Sequence, residues 1–145
     1  MPLKINLKPG ERIIVNGAIL RNAKQSRLSI VIENYSSILR ESEIIDRSRA
    51  RATPAGHACS LIQTCLCYPA KAEESIPEIH KSLAKQGAVM TGVNFQAILT
   101  AGTLVSQGAF HKAFQTMKPV MEAQERLLSG IPQEGAGPEM EGDKA

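Results

Sequence analysis

Hydrophobic and polar positions alternate at the start of the chain. Leu3, Ile5 and Leu7 are spaced by Lys4, Asn6 and Lys8, the period-2 pattern of a strand with one buried face. Pro9-Gly10 marks a turn, and residues 11–15 predict a second strand. Asn16-Gly17 predicts a tight hairpin, because both residues tolerate the positive φ such turns require. Ala18, Ile19 and Leu20 continue as the return strand. The polar run 21–27 reads as a loop, and Leu28–Ile32 as a strand. Residues 34–37 turn the chain once more into Ile38-Leu39. The expectation is a meander of four or five antiparallel strands.

From residue 46 the pattern changes. Asp46-Arg47-Ser48-Arg49-Ala50-Arg51 is charged, and Thr53-Pro54-Ala55-Gly56 carries breakers, so residues 46–56 read as a linker. Beyond it the period is helical. His57–Tyr68 fits a buried helix, although a strand also fits so short a run, and Pro69 ends it. Glu73–Gln86 predicts a helix that tolerates Pro77 only within its first turn. A third runs from about Gly92 to Ser106, with Val93, Ile98, Leu99 and Val105 as core candidates. After Gly108, Phe110, Phe114, Met117 and Met121 recur at four- and three-residue spacings, an amphipathic stripe in a helix that Pro119 should kink. The class is α+β: a β-module over 1–52, a helical module over 53–130, and an acidic, Gly- and Pro-rich segment over 131–145 that reads as disordered.

Composition sharpens this picture. Of 145 residues 43% are hydrophobic and only 3% aromatic, with no Trp. The core must therefore be aliphatic, and a small core of that kind favours dimerisation as added stability. No apolar run approaches the roughly 20 residues that span a bilayer. The first residues carry no basic segment followed by an apolar one, and Cys59, Cys65 and Cys67 are odd in number and clustered. Both features point to a cytoplasmic protein with reduced thiols.

Candidate chemistry is sparse. Cys65 and Cys67 with Cys59 and His57 invite a metal, but zinc sites draw on two separated ligand pairs. On a helix, moreover, residues 65 and 67 point about 200° apart. Buried free thiols are expected, with no metal and no cofactor. No serine lies in a Gly-x-Ser-x-Gly elbow, no glycines form a phosphate loop, and His57, His80 and His111 lack recognisable partners. Glu73-Glu74 suits a helix start. An enzyme is not expected.

Charge is the better lead. Net charge is +3, but residues 1–70 carry ten Lys or Arg against five Asp or Glu, and residues 71–145 seven against nine. Arg40, Arg47, Arg49 and Arg51 fall close together, with Lys4, Lys8, Arg12 and Arg27 on the strands. Guanidinium groups grip phosphates and stack on unpaired bases, which suits single-stranded RNA. The same charges also fit a solvated linker and strand edges guarded against aggregation. Only Tyr35 offers an aromatic platform in the β part.

Residues Leu3-Lys4-Ile5-Asn6-Leu7-Lys8-Pro9-Gly10-Glu11-Arg12, with Val15-Asn16-Gly17-Ala18 and then Ile38-Leu39-Arg40-Glu41 and Glu43-Ile44-Ile45, resemble the signatures of the FlbT flagellin regulators. The resemblance covers roughly residues 1–130. It implies a cytoplasmic protein that controls flagellin expression after transcription at the flagellin messenger RNA leader, often beside a companion regulator of the FlaF type. A second, shorter similarity links Gly10-Glu11-x-Ile13, Leu28-x-Ile30 and Leu39-Arg40-Glu41 to the CsrA-type translational regulators. It implies RNA contact by Arg40, together with Lys4 and Asn6. RNA-binding candidates are thus Arg40, Lys4, Asn6, Lys8, Arg12, Arg47, Arg49 and Arg51. The alternative is an adaptor or chaperone that acts on flagellin or the companion regulator without touching RNA, docking through the Phe110-Phe114-Met117-Met121 stripe. Such a stripe equally suits core.

Overall fold

In the computed structural model, which describes residues 2–130, five short strands precede five helices. The strands are β1 (Leu3–Leu7), β2 (Arg12–Val15), β3 (Ala18–Arg21), β4 (Leu28–Ile32) and β5 (Ile38–Arg40). They are antiparallel but do not form the expected single meander. β1 pairs with β4, while β2 lies between β3 and β5 in a separate sheet. Pro9 has no N–H to start a β1–β2 ladder. Gly10 and Glu11 instead exchange backbone hydrogen bonds with Asn22, at 2.9 Å each way, which prolongs the β2–β3 pairing. The Asn16-Gly17 hairpin forms as expected, with φ +50° and +87°. Asn16 also anchors β5: its N–H donates to the Ser37 carbonyl, and its Oδ1 accepts from the Ser37 N–H.

The alternation along β1 and β2 builds a layered arrangement. Ile5 and Leu7 of β1 bury with Ile13, and Val15, Ile30, Ile32 and Ile38 close the space between the two sheets. The opposite face of the β2 sheet presents Ile14 and Leu39, which are buried among the helices. The three-stranded sheet is therefore a middle layer, and the β part shares a core with the helical part. The expected boundary at 52/53 falls immediately before Thr53.

The helices are α1 (Arg47–Ala52), α2 (Pro54–Cys67), α3 (Ala72–Gly87), α4 (Gly92–Ser106) and α5 (Phe110–Ser129). The expected linker over 46–56 is thus helical. Asp46 caps α1 by accepting from the Arg49 N–H, and Thr53 caps α2 by accepting from the Gly56 N–H. Pro54 sits at the first position of α2, where its missing donor costs nothing. Pro77 lies beyond the first turn of α3, contrary to expectation, and removes the rung that would reach the Glu73 carbonyl. α5 continues through Pro119.

α2 is the central helix. Its Ala55, Ala58, Cys59, Ile62 and Cys65 pack with Ile79 and Leu83 of α3, Ile98, Ala101 and Val105 of α4, and the inner stripe of α5. Burying a side chain the size of Phe114 stabilises the fold by about 2–3 kcal/mol. Of the four core candidates on α4, Ile98 and Val105 are buried, but Val93 and Leu99 are exposed. The helix packs through the side that carries Ile98, Ala101 and Val105, which leaves Val93 and Leu99 to water. The acidic segment 131–145 lies outside the described residues.

Candidate nucleic-acid interface

The basic residues read from the sequence separate into two groups. Arg12 and Arg49 are committed to the fold. The Glu41 carboxylate accepts from Arg12 twice, from its backbone N–H at 2.6 Å and its Nη2 at 3.0 Å. These bonds, the side-chain one first, hold the Glu41 carboxyl below the usual range. Arg49 grips Glu125 of α5 with two parallel bonds of 2.9 and 3.0 Å, the geometry that makes guanidinium pairs strong. Each arginine thus already holds a carboxylate of the chain itself, Arg49 the more covered of the two and Arg12 with 44% of its side chain exposed.

The others are free. Lys4, Lys8, Arg40, Arg47 and Arg51 are exposed, and none joins a salt bridge among the described residues. Their positions differ. Lys4 and Asn6 occupy the outer face of the β1–β4 ladder, beside Val31 and Ser29, with Asn6 Oδ1 accepting from the Ser29 hydroxyl. Arg40 ends β5 opposite Ile13, in the other sheet. No ladder joins it to β1, so the contact set implied by the CsrA-type similarity is split between sheets. Arg47 and Arg51 lie four apart on α1.

The structure assembles a basic cluster where the sequence alone reads as a plain loop. Asn22 is 1% exposed. Its Nδ2 lies 3.0–3.1 Å from the carbonyls of Leu7, Lys8 and Ser26, and its Oδ1 accepts from the Lys24 N–H at 2.9 Å. One amide side chain thereby pins the 22–27 loop to the end of β1, and Arg21, read from the sequence as loop, ends β3. Around it Lys8, Arg21, Lys24 and Arg27 are exposed and form no salt bridge among the described residues. The β1–β4 register, continued by one residue, sets Arg27 opposite Lys8. The nearby Glu11 carboxylate is occupied by the Lys8 backbone N–H at 2.8 Å. The available sequence signal was four cations spaced around a single Asn, but nothing local said that this Asn would be buried.

The Phe110-Phe114-Met117-Met121 stripe is core. Phe114, Met117 and Met121 are fully buried and Phe110 partly so, which removes the stripe from any docking surface of the folded chain. Burial pushes the Cys59 thiol up to about 12 and also raises Cys65 and Cys67, so none is a ready nucleophile. Among the described residues no group of three or more His, Cys, Asp or Glu is placed to hold a metal. Nor is any helix among them long and apolar enough to cross a membrane. His80 Nε2 lies 3.1 Å from the Ser106 hydroxyl on the surface.

Comparison with known proteins places these features in context. The family model described as flagellar protein FlbT matches residues 3–128. The flagellum biosynthesis repressor protein FlbT of Caulobacter vibrioides strain CB 15 is 29% identical over 132 residues, which is 90% of this chain and 92% of that protein. Probable flagellum biosynthesis repressors FlbT of Caulobacter sp. K31 and Mesorhizobium japonicum are 28% and 27% identical, covering 90% and 88% of this chain and 99% and 86% of theirs. No solved structure is significantly similar.

Proposed function

The chain belongs to the FlbT family of flagellar proteins, and from that premise we propose that it regulates flagellin production by binding the flagellin messenger RNA leader through its β layers. The observation that carries this reading is the Asn22-pinned cluster of Lys8, Arg21, Lys24 and Arg27. Four cations on a backbone held from within present phosphate ligands at little ordering cost. Lys4, on the same face of β1 as Lys8, extends the basic surface, and Arg40 adds a separate exposed cation at the end of β5. Contacts to phosphates would position an unpaired RNA segment while neighbouring polar groups read its bases. Covering the region where ribosomes load would then lower translation without covalent chemistry, in keeping with relatives named as repressors of flagellum biosynthesis.

The test is a gel-shift titration of the full chain against flagellin leader RNA and a scrambled RNA over a salt series. Selective binding that weakens steeply with salt is expected. The triple variant Arg21→Ala, Lys24→Ala, Arg27→Ala should flatten the log–log salt slope by roughly 2, because each lost phosphate contact on a single strand removes about 0.7. Arg40→Ala should reduce the preference for leader over scrambled RNA. Absence of selective binding at low salt would reject the reading and favour an adaptor that works on flagellin or a companion regulator through protein contact alone.

A further inference from the structure

The ends of α3 and α5 leave an open groove of about 430 Å³ where they meet the start of α2, lined by Pro54, Lys85, Val89, Met90, Leu127 and Leu128 among others. Three of these are aliphatic side chains largely in water: Val89 is 77% exposed, Leu127 70% and Leu128 67%. Exposed aliphatics scattered singly are ordinary, whereas a contiguous set around a concavity marks a contact surface. The polar groups in the floor are already satisfied inward. Gln124 Oε1 accepts from the Ala55 N–H at 2.9 Å, and Gln124 Nε2 donates to Gln86 Oε1 at 3.2 Å. The floor is therefore apolar to an incoming ligand.

The rim is basic. Lys85 lines the groove, and Lys81 and Arg51 line adjoining hollows that share Pro54 with it. None of the three forms a salt bridge among the described residues. The opposing charge in those hollows is Glu78, whose carboxylate lies 3.9 Å from His57 Nε2.

We propose that this groove docks a partner protein's segment carrying bulky aliphatic side chains flanked by Asp or Glu. Aliphatic groups would fill the space over Val89, Met90, Leu127 and Leu128, and carboxylates would meet Lys81, Lys85 and Arg51. Charge complementarity of this kind suppresses wrong partners and fixes orientation. It also argues against a second copy of the chain, because an isologous contact would set the cationic rim against itself. The site lies on the helical face and is independent of RNA binding by the β layers.

The test uses the full chain and two labelled helical peptides with Leu at i, i+3, i+4 and i+7, one with Glu and one with Lys at the flanking positions, read by fluorescence anisotropy. The acidic peptide should bind saturably and about tenfold more tightly than its basic counterpart. The double variant Leu127→Glu, Leu128→Glu and the single Lys85→Glu should each weaken it about fivefold or more, with unchanged circular dichroism because these positions are solvent-exposed. Equal binding of both peptides, indifference to the variants, or no saturable binding would overturn the proposal. Binding seen only when the chain is cut after Gly130 would assign the groove to this chain's own residues 131–145 and overturn the external partner. A dimer in sedimentation that Leu127→Glu dissolves would assign the groove to self-association and overturn the external partner as well.

Discussion

Glu43 shows how one carboxylate can tie the end of β5 to the distant helix α5. Burial by itself would raise its pKa. It nevertheless accepts from the Arg40 backbone N–H at 3.0 Å, the Lys118 ammonium at 3.0 Å and the Gln115 amide at 3.4 Å, and these donors hold it below the usual range. A depressed folded pKa means that the contribution is fully present above the unfolded value, near 4.3. It fades as pH falls through the folded one. Glu43→Gln should therefore cost about 1–2 kcal/mol near neutrality, and the gap from the parent protein should narrow below about pH 4. Denaturant melts of both proteins at pH 7, 4 and 3 would check this, and a constant gap would contradict it. Little of this was legible in the sequence. Glu43 and Lys118 are 75 positions apart, as Arg49 and Glu125 are 76, so a cation read locally as free turned out to be paired. Asn22 was invisible for the same reason.

At the level of elements the hairpin signal was read correctly, and its consequence was not. Gly17 sits at φ +87°, and a Cβ there would collide with the Leu66 carbonyl oxygen near the end of α2. The turn is thus docked on the central helix, with backbone that cannot swing aside. Gly17→Ala should destabilise by about 2 kcal/mol or more, combining left-handed strain with that collision. A lowered unfolding midpoint at unchanged secondary structure would be the outcome, and a midpoint within about 0.5 kcal/mol of the parent would rule out the close approach. α1 escaped sequence reading because its Arg-rich run looks solvated and Pro54 looks like a breaker, though Asp46 and Thr53 are both capping residues. The strand partners were illegible because alternation shows which face is buried and says nothing about which strand lies alongside.

Across the whole molecule, the division into strands followed by helices was plain in the change of period from two to 3.6. What the pattern could not convey is that Ile14 and Leu39 bury on the helical side of the middle sheet. Each β2 residue alternates faces, so the strand serves two interiors at once: Ile13 fills the space between the sheets and Ile14 fills the helical core. The candidate RNA surface and the apolar groove then sit on one cooperatively packed body.

That shared core also gives the molecule a chemical stopwatch. Cys59 is fully buried on α2, with its thiol raised to about 12, whereas Cys67 is only partly covered. Thiolate is the reactive form, so alkylation of Cys59 must wait for the core to open. In native buffer at pH 8, mass spectrometry after iodoacetamide should find Cys67 modified well before Cys59. Equal rates would show that α2 is not held as described. Because α2 touches the hairpin turn through Leu66 and α5 across the core, the Cys59 labelling rate times the opening of the helical core, to which Ile14 and Leu39 of the middle sheet also belong. It therefore allows the stability of variants in that core to be ranked without a fluorophore, in a chain that contains no Trp.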